Sequence, residues 1–61
     1  MERLAYSAAE VAQVLGVSRP TVYQLMKRVD FPVFKLGART LVSVDGLRAW
    51  VQAQAEKGEA V

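Results

Sequence analysis

Residues 7–27, SAAEVAQVLGVSRPTVYQLMK, constrain the fold of this chain more than any other stretch. The apolar positions form two short helical sets on either side of Gly16-Val17-Ser18. Val11, Ala12 and Leu15 share one helix face before that turn, and Val22, Leu25 and Met26 share one after it. Val17, inside the turn, is placed to plug the angle between the two helices. Two short helices joined this tightly must share one core.

Local signals fix where the helices begin and end. Ser7 followed by Glu10 fits a capping box, in which each side chain satisfies the other residue's backbone N–H. Tyr6 and Val11 bracket the cap as a hydrophobic staple, and the spacing predicts a helix over residues 8–15. Gly16 is suited to the left-handed conformation that ends it. Ser18 repeats the device with Val17 and Val22 as its apolar pair. Pro20 is tolerated because first-turn N–H groups have no helical partner. Ser43 repeats it again with Val42 and Leu47. Asp45 is a competing cap there, and in either case its charge suits a helix N-terminus.

Between the second and third helices, Phe34 and Leu36 alternate with Val33 and Lys35, and a second apolar run follows at Leu41-Val42. Gly37-Ala38-Arg39 between them predicts a short hairpin turn. An isolated two-stranded hairpin is barely stable in water. This one is expected to lay Phe34, Leu36 and Val42 on the helices and to project its tip. The last helix, over residues 44–55, places Leu47, Trp50 and Val51 on one stripe, with Trp50 as the largest piece of the core. Leu4 or Tyr6 is expected to pack from the lead-in, Phe31, Phe34 and Met26 are assigned to the core, and the terminal KGEAV is expected to fray. The chain reads as one domain over residues 1–61, ordered over about 6–55.

Length and composition exclude much. A chain of 61 residues buries only about 60% of its unfolded surface, which leaves no room for a catalytic cleft and a scaffold together. Cysteine and histidine are both absent. That removes disulfides, the usual general base and the commonest metal ligands. The expectation is a non-enzyme without metal or cofactor. No leader segment is visible at the start, and no apolar run reaches the ~20 residues of a membrane span, so a cytoplasmic, membrane-free protein is expected.

Charge points to a partner. The overall net charge is +2, but residues 16–50 hold Arg19, Lys27, Arg28, Lys35, Arg39 and Arg48 against Asp30 and Asp45. The acids Glu2, Glu56 and Glu59 sit near the ends. A basic middle suits a polyanion. The second helix leaves one face uncommitted to packing: Arg19, Pro20, Tyr23, Gln24 and Lys27, with no acid among them. A short helix with a cationic, amide-bearing and aromatic free face has the chemistry of a major-groove reader.

The order helix, turn, helix, small hairpin, helix resembles the excisionase-type, MerR-like winged helix-turn-helix domains of bacteria, phages and mobile elements. The matching stretches are YSAAEVAQVLGVSRPTVYQLMK, FPVFKLGARTLVS and DGLRAWV, which cover nearly all of residues 6–51. The resemblance implies a mainly α fold with a small β-hairpin wing, and a nucleoid-associated factor that binds double-stranded DNA without catalysis. Its second helix would lie in the major groove and its wing on the minor groove or backbone. Such factors are transcription regulators or directionality factors for site-specific recombinases. This wing departs from the family in offering only Arg39 at its tip and Lys35 on a strand.

Arg19, in the first helical turn, is placed to bind guanine through two parallel hydrogen bonds, or to hold a phosphate. Gln24 suits adenine, and Tyr23 suits the backbone or a thymine methyl. Ser18 and Thr21 offer hydroxyls to phosphate at a helix N-terminus that itself attracts anions. Lys27 and Arg28 are expected on phosphates, as are Lys35, Arg39 and, more weakly, Thr40 in the wing. Arg48 reads as a surface charge. One module of this size covers roughly 600–1,000 Å² and reads only a few base pairs. No C-terminal coiled coil follows, so copies on adjacent DNA sites, or a recombinase bound alongside, are the expected partners. The competing class is a module that docks on a protein without nucleic acid.

Overall fold

The first helix begins where Ser7 and Glu10 cap each other. The Glu10 N–H donates to Ser7 Oγ at 3.3 Å, and the Ser7 N–H donates to Glu10 Oε1 at 2.9 Å. From there the computed structural model, which describes residues 3–58, runs through α1 (Ala8–Leu15), α2 (Arg19–Met26), β2 (Val33–Leu36), β3 (Arg39–Ser43) and α3 (Val44–Lys57). A two-residue strand, β1 (Ala5–Tyr6), precedes α1. Glu2 and Glu59, two of the terminal acids, lie outside the described residues, as do the last residues of the KGEAV tail.

The turn between α1 and α2 closes as its residues dictate. Gly16 takes φ 72° and ψ 35°, a left-handed conformation that costs a residue with a Cβ about 1–2 kcal/mol. Its N–H and that of Val17 both donate to the Ala12 carbonyl, at 2.9 and 3.0 Å, which satisfies an acceptor the helix end would otherwise leave open. Ser18 then caps α2 by accepting from the Thr21 N–H at 3.3 Å, with Pro20 in the first turn. Ser43, rather than Asp45, caps α3, accepting from the Gly46 N–H at 3.0 Å. α3 extends two residues past the expected end, to Lys57, where Gly58 turns left-handed at φ 66°.

The sheet has three strands in the order β1-β3-β2, all antiparallel. Ala5 and Tyr6 pair with Ser43 and Val42, so the lead-in, expected only to pack a side chain on the core, is an edge strand of the sheet. The hairpin turn is shorter than expected, because Arg39 pairs with Leu36 and leaves only Gly37-Ala38 between the strands. Three helices and this small sheet form a mainly helical winged helix-turn-helix.

The core is small and built on three fully buried valines: Val11 from α1, Val22 from α2 and Val42 from β3. Ala12, Phe31 and Leu47 complete it, with Tyr6, Leu15, Leu25, Met26, Val33 and Trp50 packed around them. Several expectations are corrected. The hairpin lays Val33 and Val42 inward, while Phe34 stays 39% exposed and Leu36 65% exposed. The register explains this: Val33 lies opposite Val42, side chains alternate along a strand, and the face that carries Val42 to the helices sends Phe34 and Leu36 to the other side. Val17 does not plug the helix angle but stays 38% exposed, and Leu4 and Val51 also face out. Trp50 is half-buried at the margin, its ring edge-on to Phe31 with centroids 4.9 Å apart. Between α1 and α3 the surface holds a shallow groove lined by Tyr6, Val14, Leu15, Leu47 and Val51. No helix among the described residues is long and apolar enough to cross a membrane.

Two outcomes follow from this packing. A Cβ built on Gly46 would stand 2.6 Å from Pro32 Cβ, inside any real contact. Alanine normally favours a helix over glycine by about 1 kcal/mol, yet overpacking costs roughly 1–3 kcal/mol. Gly46→Ala is therefore expected to lower the thermal midpoint, and a rise would show that α3 sits farther from Pro32. The second outcome concerns acid. Arg3 donates to Glu10 Oε1 at 2.7 Å, and this hydrogen bond, with that from the Ser7 N–H, holds the Glu10 carboxyl at about 2, down from 4.5. A depressed carboxyl stabilises the fold above its unfolded value, and that contribution is lost as pH falls through the folded one. The thermal midpoint of the wild type should drop more between pH 4.5 and about 2 than that of Glu10→Gln, which keeps the backbone cap but not the charge. Parallel pH profiles would contradict the pairing.

Candidate nucleic-acid interface

α2 is held by one side and free on the other. Val22 is fully buried, and Leu25 and Met26 are half-buried against the same core. Arg19, Pro20, Thr21, Tyr23, Gln24 and Lys27 are all exposed, Tyr23 by 52%. Because 3.6 residues make a turn, anchoring Val22 and Leu25-Met26 turns Tyr23, Gln24 and Lys27 away from the core, while Arg19, on the flank nearer Met26, is exposed at the start of the helix. With its side chains an α-helix is about 10–12 Å across, which the ≈ 12 Å width of the major groove admits.

The start of this helix is built from hydroxyls. Ser18 Oγ and Thr21 Oγ1 lie 2.9 Å apart, so each partly satisfies the other while Ser18 caps the helix. Both remain exposed. Arg19 follows directly, with no acid in the first turn to neutralise it. Among the described residues neither Arg19 nor Lys27 forms an ion pair, and the same holds for Lys35 and Arg39.

The hairpin does not gather its cations. Lys35 pairs across the strands with Thr40, and Leu36 with Arg39. Directly opposed residues share a face and neighbours along a strand alternate, so Lys35 and Thr40 lie on one side of the hairpin and Arg39 with Leu36 on the other. All four are exposed. Arg39 is the first residue of β3, beside the two-residue turn and not in it as expected, and it leaves the hairpin on the opposite face from Lys35.

Arg28 is engaged within the chain. Its Nε donates to Asp30 Oδ1 at 2.9 Å and its Nη2 to Oδ2 at 3.2 Å. The guanidinium carbon also stands 6.0 Å from the centre of the Trp50 ring. Trp50 Nε1–H donates to the same carboxylate at 3.2 Å. The Arg28 hydrogen bond, aided by that from Trp50, draws the Asp30 carboxyl below its ordinary range. The residues that escaped the sequence reading are thus Asp30 and Trp50, which tie the end of α2 to α3. The only local signal was an acid two positions after an arginine. Arg48, read as a surface charge, is exposed on α3.

Among the described residues, no three histidine, cysteine, aspartate or glutamate side chains cluster where they could hold a metal ion. What the surface offers is a rigid helix face with cations, an amide and a phenol, plus hydroxyls at its N-terminus. That inventory matches hydrogen bonding to base edges and phosphates. Comparison with known proteins bears on the same stretch: a family model described as a helix-turn-helix domain matches residues 5–55. No curated protein and no solved structure matches the chain. The match spans both helices, the hairpin and most of α3, and on that basis the chain belongs to the helix-turn-helix domain family of excisionase type, a family of DNA-binding domains.

Proposed function

We propose that this chain is a non-catalytic, sequence-specific binder of double-stranded DNA, with α2 in the major groove and the hairpin on the minor groove or backbone. The observation that carries the reading is the division of α2: Val22 fully buried on one side, Arg19, Tyr23, Gln24 and Lys27 exposed on the other. In this reading Arg19 and Gln24 meet base edges, Tyr23 lies on the backbone or a thymine methyl, and Ser18, Thr21 and Lys27 hold phosphates. Pro20 stiffens the turn that carries them. Arg39 at the wing tip, with Lys35 and Thr40 on the opposite side, adds a second and weaker contact.

The biological role that fits is a recombination directionality factor or a transcription regulator acting on DNA in the cytoplasm of a bacterium, or of a phage host. One module covers too few base pairs to select one genomic site. Copies on adjacent DNA sites, or a site-specific recombinase bound alongside, supply the remaining selectivity in this reading.

Salt dependence separates this from docking on a protein. With four to six phosphates neutralised, log affinity should fall against log salt with a slope of about −4 to −5. Arg19→Ala should cost about 1–3 kcal/mol on the preferred site and little on random sequence. Lys27→Ala should weaken all sequences alike and flatten the slope by about 1. Fluorescence anisotropy on specific and random duplexes measures both. Weak, salt-insensitive binding would favour a protein partner, and equal losses for the two variants on every sequence would undo the division of roles.

A further inference from the structure

We propose that Asp30 occupies Arg28 and so withholds its charge from the DNA backbone, which lowers the affinity of the chain for duplexes of every sequence. The inference rests on the DNA-binding reading of α2. Arg28 directly follows Lys27, the C-cap of α2, and so stands just past the end of the helix that carries the exposed face. A cation in that position would ordinarily add a phosphate contact. Instead, two of its donors lie on the two oxygens of Asp30, in the paired geometry that a phosphate would otherwise receive. The stack over Trp50 and the indole N–H on the same carboxylate hold the arrangement against α3. The site joins two parts of the chain: the turn after α2, which carries Arg28 and Asp30, and α3, which carries Trp50.

The consequence falls on all sequences alike. Phosphate contacts raise affinity for every sequence equally, whereas base contacts discriminate. Withholding one cation beside the reading face lowers binding to preferred and random duplexes by the same factor, and leaves the ratio between them to the base contacts. The pair is half-exposed, with 48% and 43% of the two side chains accessible, and such pairs are weak. The phosphate contact it displaces is worth no more than the pair itself, so Asp30 lowers the affinity by a modest factor.

The test uses the whole chain and a labelled random-sequence duplex, titrated across sodium chloride concentrations by anisotropy. Asp30→Asn keeps an oxygen for the Trp50 N–H and removes the competing charge. It should bind random duplex about two- to fivefold more tightly at low salt, the factor that a weak exposed pair corresponds to. The slope against log salt should steepen by about 0.9, one additional phosphate. In an Arg28→Gln background the same substitution should leave the slope unchanged, which separates release of Arg28 from simple loss of a negative charge. An unchanged slope in Asp30→Asn, or equal steepening in both backgrounds, overturns the proposal. Arg28→Gln alone gives an independent arm that does not depend on how Asp30→Asn folds. It should leave the wild-type slope as it is, and flattening by about 0.9 would mean that Arg28 already binds phosphate. Absence of any salt-dependent binding by the wild type would instead count against the DNA-binding reading itself.

Discussion

Three valine side chains decide where everything else can go. Val11, Val22 and Val42 come from α1, α2 and β3, and each is wholly removed from solvent. Burying a side chain of this kind stabilises by about 1.5–3 kcal/mol, while a domain this small holds only ~3–5 kcal/mol in total. No second core exists among the described residues to compensate for loss of this one. The orientation of α2 is therefore set from its inner side, by Val22 with Leu25 and Met26 packed beside it. Since a helix is rigid between its caps, fixing Val22 fixes the opposite face as well. The candidate interface is, in physical terms, the back of one buried valine.

What the sequence made legible was mostly local. The caps at Ser7, Ser18 and Ser43 and the turn at Gly16 lie where their neighbours place them, because a cap depends on atoms within four residues. The sheet was harder to read. β1 is two residues long and has no strand pattern of its own, so it exists only through its pairing with Ser43 and Val42, far along the chain. The hairpin face was misread for a related reason. Val33, Phe34 and Leu36 are all apolar, so alternation alone does not say which set turns inward. The position of Val42 under the helices decides it. Trp50 was expected at the centre because of its size, but its indole N–H requires a partner when covered, and it finds Asp30 at the margin.

The candidate site divides the same way. Helical periodicity sufficed to turn Tyr23, Gln24 and Lys27 outward on α2, whereas Arg19 owes its exposure to its place at the start of the helix. It could not distinguish Lys27, which forms no ion pair among the described residues, from Arg28, whose guanidinium turns back onto Asp30 and Trp50. Nor could composition reveal that Lys35 and Arg39 stand on opposite sides of the wing. Counting cations overstated how much positive charge acts together. Register and pairing, which are tertiary properties, determine the charge that a partner would meet.

The measurement that tests the account most directly is a residue-resolved NMR titration of the whole chain with duplex DNA. The largest amide shift changes are predicted at residues 18–27, with a smaller set at residues 35–40. Val14, Leu15 and Val51, which line the groove between α1 and α3, should stay unmoved. Changes concentrated in that groove, with the outward side of α2 silent, would contradict the claim that the buried valine exists to hold a DNA-reading face outward.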